Sequence, residues 1–174
     1  NVGHFYLRAL QADGYVHTLT PDVTLRPSAR TEVTIGAMLS RNRLPWQFVG
    51  NATGADGVAR SVIGDLRQQQ ASLTARVNYA FTPNLSLQLY AQPFAAAGRI
   101  TGFDEVVAPQ AARWSDRVRR YADAEVQRLE NGRVQLGSGA SAVTVTDPTF
   151  GRAQFRGNAV LRWEYRPSST LFLV

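Results

Sequence analysis

The stretch Gln154-Phe155-Arg156-Gly157-Asn158-Ala159-Val160-Leu161-Arg162-Trp163-Glu164-Tyr165-Arg166 decides the fold. Its odd positions hold Phe155, Gly157, Ala159, Leu161, Trp163 and Tyr165, and its even positions are polar apart from Val160. Successive side chains of a strand point to opposite faces, so this spacing predicts a strand with one apolar and one polar face. The same period recurs upstream. Ala71, Leu73, Ala75, Val77, Tyr79 and Phe81 alternate with Ser72, Thr74, Arg76, Asn78 and Ala80, and Leu85, Leu87, Leu89 and Ala91 alternate with Ser86, Gln88, Tyr90 and Gln92. Val33, Ile35, Ala37 and Leu39 repeat it over 31–41, with Met38 as the exception, and Val23 and Leu25 extend it backward past Pro21. Phe5, Leu7 and Ala9 make a weaker first strand, closed by a turn at Asp13-Gly14. About six strands and the start of a seventh are expected.

Short links recur as an internal repeat. Arg26-Pro27-Ser28-Ala29, Phe81-Thr82-Pro83-Asn84 and Arg166-Pro167-Ser168-Ser169 each set a Pro between two alternating runs, which reads as a tight hairpin. The opposite ends are expected to be long: a Gly/Asn/Ala-rich loop over 43–60 and an insertion over about 102–153. Within that insertion the spacing of Trp114, Val118, Tyr121, Ala122, Val126 and Leu129 predicts a short amphipathic helix, and Val134-Leu136 with Ala142-Val145 predicts a small hairpin.

Composition narrows the class. Among 174 residues, all 19 basic side chains are Arg, against 13 acidic ones, and Cys is absent. That excludes disulfide scaffolds, thiolate metal sites and a Cys nucleophile. Apolar runs such as Phe94-Ala97 and Leu171-Val174 are too short for a spanning helix, which needs about 20 residues. The densest basic group, Arg113, Arg117, Arg119, Arg120 and Arg128, is broken by Asp116, Asp123, Glu125 and Glu130, so no nucleic-acid partner is expected. No export signal is visible after Asn1, and any such segment is expected to have been removed or to lie upstream.

Alternation alone fits a soluble sandwich as well as a membrane barrel. Three features favour an antiparallel transmembrane β-barrel with long extracellular loops. Charges crowd the polar face of one strand at Arg156, Arg162, Glu164 and Arg166; aromatic residues gather near the tight turns at Tyr79, Phe81, Trp163 and Tyr165; and the loops are asymmetric. A barrel in lipid must close, and the smallest single-chain ones have about eight strands. The chain is therefore expected to be a C-terminal barrel fragment over 1–174, with the lipid bilayer and further barrel strands as its partners, or else to pair its strands with another chain.

Two long stretches, Asn78–Phe94 and Arg156–Val174, resemble the C-terminal part of an uncharacterised bacterial outer-membrane β-barrel family, a domain of unknown function that follows an N-terminal family-9-type carbohydrate-binding domain. Arg41-Asn42-Arg43 and the region around Gly102-Phe103-Asp104-Glu105 add to the likeness, while Ser168 stands where that family usually has Gly. The resemblance implies an outer-membrane location and a link to glycans, and supplies no catalytic residue.

Candidate residues follow from the two faces. Arg76, Asn78, Gln88, Tyr90, Gln92, Arg156, Arg162 and Glu164 are expected to face the lumen, as guanidinium, amide and phenol groups suited to sugars or anionic solutes. Leu85, Leu87, Leu89, Leu161, Trp163 and Tyr165 are expected to face lipid or form an aromatic girdle. A non-enzymatic role in binding or passing a solute is expected, without cofactor or metal. The rivals are a soluble carbohydrate-binding β-sandwich using Tyr90 and Trp163, and a polysaccharide hydrolase using the loop carboxylates Asp104 and Glu105. Adjacent carboxylates suit glycoside hydrolysis poorly, because that chemistry needs two groups about 5–9 Å apart across one bond. His4 and His17 lack a third ligand at metal spacing, and Asn51-Ala52-Thr53 is a three-residue acceptor match of little weight.

Overall fold

The computed structural model describes residues 1–9 and 14–174, and the expected Asp13-Gly14 turn lies outside the described residues at Asp13. Among the described residues the chain is all-β, with one single-turn α-helix and two short 3-10 turns. Seven strands run antiparallel in sequence order: β1 (Val2–Ala9), β2 (Gly14–Ser28), β3 (Thr31–Thr53), β4 (Ala59–Thr82), β5 (Leu85–Val106), β10 (Phe150–Arg166) and β11 (Ser169–Leu173). Between β5 and β10 lie the helix α1 (Trp114–Arg117) and the short strands β6 (Val118–Arg120), β7 (Val126–Arg128), β8 (Arg133–Leu136) and β9 (Val143–Thr146). The strand β6 joins the large sheet beside β5, while β7-β8-β9 form a separate small sheet. The large sheet is open: among the described residues β1 and β11 each pair on one side only, so the closed barrel is not found.

Each Pro-containing link is a two-residue turn or sits beside one. Residues 29–30, Pro83-Asn84 and Pro167-Ser168 connect the hairpins at one end of the sheet, hereafter the turn end. Ser168 has a φ of 62°, the left-handed region that Gly occupies without strain.

Expected features at the other, distal end need correction. The loop over 43–60 is mostly strand: β3 and β4 stay paired up to Thr53 and Ala59, and only 54–58 turn. Irregular pairings at Leu44/Gln47 and Phe48/Gly50 shift the phase of alternation there, which erases the period-two signal without breaking the ladder. The insertion is likewise shorter than expected, since β5 runs to Val106 and β10 starts at Phe150.

The amphipathic helix over 114–130 does not form beyond Arg117. Extended chain wins because β6 pairs with β5 in a register that opposes Arg120 to Asp104 and Arg119 to Glu105. Opposite charges directly across a ladder favour this pairing, and a helix would place neither arginine there. The small hairpin does form, as β8 and β9.

The first strand has the opposite phase from that expected. Its register opposes Leu7 to Val16 and Phe5 to Thr18, and Thr18 lies opposite Ser40 on the polar face. His4 and Tyr6 therefore share the apolar-face rows of Leu19 and His17. Short strands with apolar residues at both parities leave phase to the pairing partner.

The packed core sits at the distal end. Val62, Ile100 and Phe103 of the long strands meet Tyr121, Val134, Leu136, Val143 and Val145 of the insertion, all at 5% exposure or less. Leu66 and Val49 border this cluster. Leu66 and Ile100 lie in one cross-strand row, two residues from Gln68 and Gly98, so the insertion caps the polar face. The ring of Phe150 lies over Gly98, in the space that a Cβ there would need. Trp114 stacks on Trp46 with centroids 3.9 Å apart and ties α1 to β3.

Candidate functional site

Register assembles the expected lumen residues on one face. Thr34, Arg76, Tyr90 and Asn158 form one row across β3, β4, β5 and β10; Glu32, Asn78, Gln88 and Val160 form the next. Gln92 opposes Arg156, and Ser86 opposes Arg162. Arg76, Asn78, Gln88, Tyr90 and Asn158 line a depression of about 410 Å³. The Arg76 guanidinium lies 5.2 Å from the Tyr90 ring centroid, and the Tyr90 hydroxyl donates to Gln92 Oε1 at 2.9 Å. A guanidinium over a ring leaves its N–H groups free at the edge, while the amides offer both donors and acceptors.

Charge on this face is unbalanced around the depression. Glu32 accepts from Arg26 at 2.8 Å and from Asn78 at 3.4 Å, and Glu164 pairs with Arg162 at 3.3 Å. Arg76 and Arg156 have no carboxylate partner among the described residues. The structure thus brings five candidates together at Arg76, Asn78, Gln88, Tyr90 and Gln92, with Arg156 adjoining. Arg162 and Glu164 stand apart, joined to each other near the turn end. Asn158 and Glu32 were missed: Asn158 is one of several polar residues in its strand, and Glu32 enters only through the pairing of β3 with β4.

The opposite face is bare. Leu85 opposes Trp163, Leu87 opposes both Tyr79 and Leu161, and Leu89 opposes Val77 and Ala159. Leu25, Ile35, Leu73, Leu89 and Trp163 are each at least 41% exposed. The elements that pack on the large sheet, β6 and the small sheet, meet it at its distal end. From Val33 to Leu39, Ala71 to Phe81, Leu85 to Ala97 and Gly151 to Tyr165, every residue of this face is uncharged.

Both margins of this apolar band are marked. At the turn end stand Tyr79 with Phe81, centroids 4.8 Å apart, and Trp163 with Tyr165 at 6.0 Å. At the distal margin, Tyr6 and Tyr15 pack on His17 at 4.4 and 5.3 Å, beside Arg41, Arg43, Arg67 and Arg99. Thr31 to Arg41 spans the band along β3, about 33 Å at ~3.3 Å per residue. At the ~40° tilt of membrane barrels that projects to about 25 Å, the height of their apolar belt.

Asp104 and Glu105 lie on β5, not in a loop, and as neighbours on a strand they point to opposite faces. Arg120 holds Asp104 at 2.6 Å, while Glu105 takes Arg60 at 3.2 Å, Arg119 at 3.3 Å and the Tyr121 hydroxyl at 3.2 Å. Burial pushes the Asp104 carboxyl up despite Arg120. Burial, then the Glu105 charge, pushes the Tyr121 phenol up to about 12. At the 54–58 turn, the hydrogen bonds from Arg60 hold Asp56 down at about 2. These carboxylates are locked to arginines and serve as cross-links of the cap. His4 and His17 stack at 6.2 Å, and no cluster of three metal-ligating side chains occurs among the described residues.

No helix of the described residues is long and apolar enough to cross a membrane, which says nothing of crossing by strands. No protein-family model, curated protein or solved structure matches the chain.

Proposed function

We propose that the sheet is part of the wall of a bacterial outer-membrane β-barrel, with the bare face toward lipid and the capped face toward the lumen. The observation that carries this reading is the uncharged band of about 25 Å, bounded by aromatic residues at one margin and by arginines with Tyr and His at the other. An aqueous sandwich would need a second layer over Leu73, Leu89 and Trp163, and none lies there among the described residues. The unpaired edges of β1 and β11 are the second support. In lipid each open backbone group costs several kcal/mol, so the barrel closes with further strands.

The role proposed for this wall is non-enzymatic: it holds or passes a polar solute on the face of Arg76 and Tyr90. Uncompensated Arg76 and Arg156 favour anionic groups, and Tyr90 with Asn78, Gln88 and Asn158 offers the ring face and amides that sugars use. The resemblance to an outer-membrane family carrying a carbohydrate-binding domain supports the same solute class. The cap, packed over the polar face at the distal end, would stand at the mouth and control access.

The test is partition of the full chain between detergent-free buffer and phosphatidylcholine vesicles. Stable insertion with protease protection of 71–92 is the expected result; a monodisperse protein in plain buffer that ignores vesicles would overturn the proposal. Planar-bilayer conductance with sugar phosphates as blockers then tests the solute role, with loss of block in Arg76→Gln expected.

A further inference from the structure

Three arginines lie side by side where the apolar band ends, with a fourth beyond Tyr15. Arg8, Tyr15, Arg43, Arg67 and Arg99 form one continuous cross-strand row over β1 to β5. Arg41 stands in the next row toward the band, opposite His17 and Gln69. Paired residues of neighbouring strands are about 5 Å apart, so the Cα atoms of Arg43, Arg67 and Arg99 lie within about 10 Å. Like charges directly opposed destabilise a sheet, and among the described residues no carboxylate pairs with Arg67 or Arg99. Asp65 takes Arg43 at 3.3 Å but is shared with Arg120 at 3.7 Å, and Arg43 Nε is buried without a hydrogen-bond partner. Arg41, Arg67 and Arg99 are exposed and have no ion pair or side-chain hydrogen bond among the described residues.

These groups are not spread over a flat surface. Tyr15, Arg41, Arg67, Gln69, Arg99 and Thr149 line one pocket of about 320 Å³. One strand-turn toward the band the same face becomes Leu39, Ala71, Ala95 and Ala153, a small-residue, uncharged floor. The pocket therefore presents donors for an anion directly beside a surface that takes hydrocarbon. A free phosphate would use only the first of these; an acylated phosphate uses both.

We infer that this pocket binds the phosphate group of an acylated lipid, with Arg67 and Arg99 as forked donors, Arg41 as a third donor and the acyl chains lying over Ala71 and Ala95. The inference rests on the proposed lipid-facing assignment of the bare face and adds to it a specific lipid contact. Guanidinium groups suit this role because they offer paired N–H donors in the geometry of phosphate oxygens and stay charged at the edge of hydrocarbon. Their stems cross the last of the apolar surface while the heads reach the polar layer.

The experiment compares the full chain with its Arg67→Gln/Arg99→Gln variant in phosphatidylcholine vesicles, with and without phosphatidic acid as the phosphomonoester probe. Lipids retained on the extracted protein are counted by native mass spectrometry. The wild type is expected to retain phosphatidic acid over phosphatidylcholine, and the variant, lacking two interfacial arginines, to lose about tenfold or more of that preference. Arg41→Gln is expected to lose less, and Arg166→Gln, at the turn end, to lose nothing. Because the two substituted arginines have no ion pair or side-chain hydrogen bond among the described residues, folding should survive, and vesicle insertion of the variant checks it. Insertion without preference for phosphatidic acid, or an unchanged preference in the variant, would overturn the inference and leave the barrel intact. Inorganic phosphate competing as well as the lipid would overturn the acylated ligand in favour of a free anion. Failure of the wild type to insert at all would overturn the barrel, and this site with it.

Discussion

The same three long strands, β3, β4 and β5, live in two environments. At their distal ends Val62, Ile100 and Phe103 are sealed beneath Tyr121, Leu136 and Val143, at 2% exposure or less. Over the remaining length Ile35, Leu73 and Leu89 are 41–45% exposed, and nothing in the described chain covers them. The difference teaches that one kind of sequence, alternating and half apolar, is completed in two ways. The distal end carries its own second layer, while the bare band has none among the described residues, and in the proposed reading lipid takes that layer's place.

Substitutions can break this contrast. Phe103→Ala is expected to have the largest effect, about 3–5 kcal/mol of cap stability, because it empties a fully packed site. Denaturant unfolding followed by Trp fluorescence reads it through the Trp46–Trp114 stack. Leu73→Ala in the band should cost under about 1 kcal/mol in the same experiment, since that side chain is already half exposed. Equal losses would mean that the band is covered by protein.

Charge sharpens the comparison between faces. Leu89→Arg is expected to weaken stability in vesicles by about 2–4 kcal/mol, whereas Gln88→Arg, one residue away on the polar face, should be nearly neutral. Urea titration of the vesicle-inserted chain measures both, and similar values for the pair would refute the assignment of sides.

Tyr121 tests the cap through pH. Its folded phenol ionises near 12, above the ordinary value of 10, so the unfolded chain releases this proton first as pH rises. The associated stability is therefore full below about pH 10 and is lost between 10 and 12, on the order of 2 kcal/mol. Subtracting the tyrosinate absorbance curve of Tyr121→Phe isolates the late step. A step at the ordinary value would show that the cap does not bury this ring.

The smallest effect is expected at the turn end. Ser168→Gly should stabilise the β10–β11 hairpin by about 1 kcal/mol, because the left-handed φ of 62° crowds a Cβ and not a glycine hydrogen. Thermal unfolding measures it. A loss of stability would mean that the Ser168 side chain contributes to the turn more than its strain costs.

How much was legible depends on whether the information was local. The strand at Gln154–Arg166, the runs around Leu73 and Leu87, and the three Pro-marked turns were all readable, since alternation and turn chemistry are set by neighbours in the chain. The site was half readable: parity alone put Arg76, Asn78, Gln88 and Tyr90 on one face, but their meeting with Asn158 and Glu32 depends on register. The extension of β3 past Arg43 was hidden by bulges. The helical spacing of Trp114 to Leu129 misled, because that spacing is silent about Asp104 and Glu105, the charges that draw Arg120 and Arg119 into a ladder.

By itself, then, the chain's order of residues determined strands, two unlike faces and tight links at one end, because period two and the backbone limits of Pro act over a few residues. Only the tertiary structure decided the phase of β1, the placing of the cap on the polar face and the alignment of Arg43, Arg67 and Arg99. Each of these follows from which strand pairs with which and in what register, an outcome of backbone ladders and cross-strand charge between residues distant in the chain.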